Sequence, residues 1–132
     1  MISRIPLTII PFILYNIGLA GLFGEPDPWA ATLFDVSMIS GGVWSMTLGD
    51  LLVVVALLVL LIELVKSTST SSASIIDHML SLLVFVLFLV EFLLVEGAAT
   101  SLFFVLMVIA LVDVMAGFTV SLRSATRDVN LR

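Results

Sequence analysis

The sequence predicts an all-α integral membrane protein: one domain over residues 1–132, with four transmembrane helices in an antiparallel bundle and both termini cytoplasmic. Three observations carry that reading. The chain is 61% hydrophobic and only 11% charged, which is more apolar surface than a soluble domain of this size can bury. Four apolar runs approach the roughly 20 residues that a helix needs to cross a hydrocarbon core. Finally, all 5 Lys and Arg residues fall on one side of the topology those runs define.

The first span is IPLTIIPFILYNIGLAGLF, residues 5–23. Arg4, the apolar stretch and the small residues Gly18 and Ala20 also fit a secretory signal, but Pro6, Pro11 and Asn16 interrupt the apolar core such a signal uses. Residues 24–47 form the outer connection. Asp27 and Pro28 read as an N-cap and first helical residue, with Trp29 and Leu33 at helical spacing. This predicts a short interfacial helix over 28–35, broken by Gly41 and Gly42, with Trp29 and Trp44 as anchors at the headgroup level. The second span covers 48–65. KSTSTSSAS, residues 66–74, has the composition of a flexible cytoplasmic linker. Ser74 and Asp77 resemble a capping box that opens the third span, 75–95. Only EGAAT separates that span from the fourth, 101–122, so the two form a tight hairpin.

Arg4 precedes the first span, Lys66 follows the second, and Arg123, Arg127 and Arg132 follow the fourth. The positive-inside rule therefore places the termini and the 66–74 linker in the cytoplasm of a multi-pass protein, read as one of a bacterial inner (plasma) membrane. The net charge of −5 does not oppose this, because Asp and Glu contribute little to orientation. Glu25, Asp27 and Asp35 all sit in the outer loop.

Within so apolar a chain the acids are the residues that ask for an explanation. Glu63 lies three positions before Lys66, a spacing that permits an ion pair near the inner interface, with His78 at about the same level. Asp50, three residues after Thr47, reads as part of a helix start. Glu91 sits near the depth of Asp50, so the two are candidates for a carboxylate pair. Asp113 lies close to the midplane, where a charge costs at least about 2.5 kcal/mol. Ala110, Ala116 and Gly117 make a small-residue face around it that lets another helix approach. Asn16, mid-span in the first helix, is the expected partner that would hold Asp113 as a hydrogen-bonded acid.

The same residues bound the function. Cysteine is absent and there is a single His, which argues against disulfides, thiolate chemistry and a zinc or bis-histidine haem centre, so neither metal nor cofactor is expected. Neither a Ser, His and acid grouping at one depth nor a phosphate-binding glycine loop is present, so the chain does not read as an enzyme. The acidic charge excludes nucleic acid as a partner. Besides the lipid bilayer, the expected partner is another membrane protein or a further copy of this chain. The leading expectation is a small inner-membrane accessory, scaffold or assembly subunit of a larger complex; the alternative is a proton- or cation-coupled transporter or channel working as an oligomer. In size and span count the chain is similar to small multidrug resistance transporters and small four-span fluoride channels. No motif carries that likeness, and where the multidrug family has its first-span glutamate this chain has only Asn16.

Overall fold

The computed structural model describes residues 6–21, 27–69 and 74–130, with the side chains of 67–69, 74, 75, 77 and 120–130 left aside. Arg4, Arg132, Glu25 and the centre of the 66–74 linker lie outside the described residues, as do the side chains of Arg123 and Arg127 and of the expected Ser74–Asp77 capping box. The protein is mostly helical, with four helices and one small two-stranded hairpin.

Helix α1, Ile9–Leu19, is shorter than the apolar run that contains it. A turn closed by Ile9 N to Pro6 O (3.1 Å) leads into it, and Pro11 falls in the first turn, where a missing N–H costs nothing. It ends at Gly21, whose φ of 82° is a backbone state that L side chains rarely adopt.

The outer connection corrects the expected interfacial helix. Among the described residues there, helical structure is limited to a single 3₁₀ turn at Pro28–Ala30. Strand β1, Thr32–Ser37, then pairs antiparallel with β2, Val43–Thr47. The reason is side-chain chemistry: Thr32, Phe34, Val36, Val43, Trp44 and Thr47 are β-branched or aromatic, and they flank a loop in which Gly41 takes a φ of 95°.

Strand β2 passes into helix α2, Leu48–Ser69, with no intervening residue. The junction is pinned by reciprocal caps: Asp50 N donates to Thr47 Oγ1 (3.1 Å) and Thr47 N to Asp50 Oδ2 (3.2 Å). Leu48 N also donates to Ala31 O at 2.9 Å. Helix α2 runs to Ser69, so the expected linker begins as helix. Helix α3, Ser74–Leu94, and α4, Ser101–Asn130, are joined by the 3₁₀ turn Glu96–Ala98. Thr100 caps α4, its Oγ1 accepting Phe103 N at 3.1 Å.

Helix α4 is the hub, packing extensively against α3 and α2, while α1 lies more lightly across α2 and α4. One cluster fills the interior, including Tyr15 from α1, Leu52 and Ala56 from α2, Val84 and Phe88 from α3, and Phe103, Leu106 and Ala110 from α4. Leu57, Leu58, Leu61, Leu83, Val90, Val112 and Met115 lie on the exterior. The segments Leu48–Lys66 and Ser101–Thr119 are each long and apolar enough to cross a membrane, and Ile9–Leu19 and His78–Leu94 are shorter apolar helical segments.

Candidate functional site: two buried polar layers

The polar side chains inside the bundle gather into two layers. The inner layer draws on every helix or its approach. Glu63 of α2 is 7% exposed, Ser81 of α3 6%, Asp113 of α4 5%, and Thr8, just before α1, 2%. Glu63 Oε1 accepts Leu7 N at 2.7 Å and Lys66 Nζ at 3.3 Å. The ion pair expected between Glu63 and Lys66 is therefore present, and it also fastens the chain leading into α1. The Ser81 hydroxyl faces the Asp113 carboxyl, on which Glu63 and Lys66 also act electrostatically. His78 lies one turn before Ser81 with its ring against Gly117, where an added Cβ would stand 2.8 Å from His78 Nδ1. Thr8 Oγ1, His78 Nε2 and Asp113 Oδ2 are buried and have no hydrogen-bond partner among the described residues.

The outer layer is built on Tyr15. Its hydroxyl donates to Gly97 O at 2.9 Å and also bonds Thr100 Oγ1 at 3.0 Å, tying α1 to the turn between α3 and α4. Next to it, the Asn16 amide donates to Phe12 O at 2.8 Å and acts electrostatically on the Glu91 carboxyl. Glu91 Oε2 is buried without a partner among the described residues.

An aromatic layer separates the two. The Phe103 ring meets Tyr15 edge-on at 4.8 Å and Phe88 at 5.3 Å, and Phe12 meets Phe88 at 5.0 Å. Ser81 and Glu91 are ten residues apart on α3, so the two polar layers stand about 15 Å apart by helical rise.

These contacts redistribute the expected pairs. Asn16 does not reach Asp113: it faces Glu91 instead, because α1 begins only at Ile9 and Tyr15 holds its second half at the outer end of the bundle. Asp50 and Glu91 do not pair either, since Asp50 is exposed and engaged in the α2 cap while Glu91 faces Asn16. Glu63 is bonded to Leu7 and Lys66 rather than to His78. Trp29 stacks on the Tyr15 ring (5.6 Å, 8° between planes) and closes over Gly18, where a Cβ would approach the indole to 2.6 Å. Trp44 stays out on the hairpin, edge-on to Phe34 at 5.7 Å. Sequence reasoning missed Thr8, Ser81 and Tyr15. Ser81 had a usable signal, being the one hydroxyl residue between Met79 and Val95 and one helical turn from His78.

Among the described residues no group of three His, Cys, Asp or Glu side chains is placed to hold a metal ion. No protein-family model, curated protein or solved structure matches this chain.

Proposed function

We propose that the chain is a four-span inner-membrane accessory subunit that docks on a larger membrane-protein complex through its outer hairpin. The membrane reading is supported by an inverted distribution of side chains. Carboxylates and hydroxyls are buried among the helices, while Leu and Val cover the outside. The apolar segments Leu48–Lys66 and Ser101–Thr119, 19 residues each, come close to the length that crosses a hydrocarbon core of about 30 Å, and α3 carries the shorter apolar segment His78–Leu94. Helix α1 rises only about 16 Å over its 11 residues, and in this reading it is the helical part of the longer apolar run at residues 5–23. The one-sided Lys and Arg distribution sets both termini inside and the hairpin outside.

The observation that carries the docking role is the hairpin itself. Cross-strand pairs Phe34–Met46 and Val36–Trp44 share one face, and Asp35–Ser45 and Ser37–Val43 share the other. Every residue of β1 is exposed, and Ile39 at the tip is fully so, at 109% relative to its reference state. A lone two-stranded hairpin is marginal in water. One with an uncovered apolar face and apolar tip is suited to burial against a partner.

A photo-crosslinking residue placed at Ile39 or Trp44 should give one discrete adduct with a different membrane protein, whereas the same residue at Ser45 on the polar face should give none. Adducts only at twice the mass of this chain, or none at any position, would overturn the docking role. Topology is checked separately. The chain has no cysteine, so Ile39→Cys should react with a membrane-impermeant maleimide in intact spheroplasts, and protection until lysis would reverse the orientation.

One observation favours a second reading, an oligomeric proton- or cation-coupled transporter: Asp113 Oδ2, Thr8 Oγ1 and His78 Nε2 are buried toward the same end without a hydrogen-bond partner among the described residues. The aromatic layer opposes a polar path inside a single chain. Asp113→Asn keeps size and hydrogen-bonding capacity but cannot release a proton. In proteoliposomes it should leave ion flux at the wild-type background, and a wild-type flux abolished by this substitution would make transport the leading function.

A further inference from the structure

At the outer end of the bundle, away from the inner polar layer, a cavity of about 450 Å³ lies between the starts of α2 and α4 and the 3₁₀ turn at Pro28. That is within the range of roughly 300–1,000 Å³ typical of small-molecule sites. Asp27, Trp29 and Asp50 contribute to its wall, and Val53, Leu102 and Val105 continue it downward between the two helices. The charge balance favours a cation. Two carboxylates stand against two helix N-termini worth about half a positive charge each, and both N-termini are already capped, by Thr47 with Asp50 and by Thr100. The sequence on this side reinforces the sign: residues 24–50 and 95–101 contain Glu25, Asp27, Asp35, Asp50 and Glu96 and no Lys or Arg. A bare metal ion does not suit the wall, because among the described residues no third His, Cys, Asp or Glu joins the two carboxylates, and Trp29, Val53, Leu102 and Val105 face the same space. An organic ammonium does, since an aromatic ring and hydrocarbon can surround its carbon substituents while carboxylates meet its charge.

We propose that this cavity binds the ammonium group of an amphiphile, with the charge held by Asp27 and Asp50 beside Trp29 and the hydrocarbon lying along Val53, Leu102 and Val105. The ligand is an alkylammonium compound, supplied either by the headgroup of an aminophospholipid or as a free amine. Only the lipid source depends on the membrane reading given above.

The test uses the full chain carrying Trp44→Phe, which leaves Trp29 as the single tryptophan, since the chain has two. In dodecyl maltoside, titration with octylammonium should change Trp29 fluorescence saturably, and octanol at the same concentrations should not. Asp50→Asn retains an acceptor for Thr47 N, so the α2 cap survives, and combined with Asp27→Asn it should weaken octylammonium binding at least tenfold. Asp27 makes no side-chain cap hydrogen bond, so Asp27→Asn alone tests the charge even if the double variant fails to fold, and a several-fold loss is expected. In nanodiscs, phosphatidylethanolamine should suppress the octylammonium response relative to phosphatidylglycerol if a lipid headgroup is the ligand. An equal response in both lipids would identify a free amine. An unsaturable change, an equal effect of octanol, or unaltered affinity in Asp27→Asn would overturn the proposal.

Discussion

Replacing Phe103 by alanine will destabilise the bundle by about 3 kcal/mol or more. The ring is fully buried and contacts the rings of Phe12, Tyr15, Phe88 and Phe92. Those contacts join α1, α3 and α4 at one point. The helices are fixed at both ends of this layer, by Tyr15 to Gly97 outside and Leu7 to Glu63 inside, so they cannot close fully on the space left behind. If the bundle spans a membrane as proposed, the loss is mainly one of dispersion contacts rather than of hydrophobic transfer, because lipid is itself apolar. Reversible unfolding in mixed micelles reads the effect, with Phe104→Ala as the comparison, since Phe104 is half exposed. Equal losses for the two would mean that the aromatic layer is not what joins the helices.

The second large effect is expected at Gly117. A Cβ there would lie 2.8 Å from His78 Nδ1 and 2.9 Å from Cε1, closer than real Cβ contacts, so either the imidazole must turn or α3 must move off α4. Overpacking of this kind costs about 1–3 kcal/mol. Gly117→Ala should therefore destabilise the protein even though alanine is the better helix former by about 1 kcal/mol. In a His78→Ala background the same substitution should become neutral or stabilising. The difference between the two backgrounds isolates the ring contact, and additive effects would assign the cost elsewhere.

Much of the helical framework is legible in the sequence, because the apolar runs are long and Gly, Pro and charged residues punctuate them. The starts of α2 and α4 fall where the sequence predicts, at Leu48 and Ser101. The hairpin is hidden from a local reading because Asp27-Pro28 is a strong helix signal, whereas the competing strand signal is spread over Thr32–Thr47 and becomes decisive only when the two strands pair. The site was legible residue by residue but not pair by pair. Glu63 and Lys66 share one helix, so their contact follows from helical spacing alone. Asn16 and Asp113 are on different helices, and pairing them required the depth of α1. Counting inward from Arg4 puts Asn16 at mid-span, but with the helix beginning at Ile9 it is the eighth of 11 residues, at the level of Glu91. Tyr15 sets that depth through contacts to Gly97 and Thr100, more than eighty positions away, which no local pattern records.

The absence of any residue between β2 and α2 has a mechanical meaning. The hairpin cannot swivel on a loop. Its second strand runs directly into α2, and the Thr47–Asp50 caps together with the Leu48 to Ala31 bond stiffen the joint. A load that tilts the hairpin must either break those bonds or be passed down α2 as a rod. At the far end of that rod, Glu63 grips the chain entering α1 through Leu7. Torque applied to the hairpin is thus delivered to the hydrogen bond between Leu7 and Glu63.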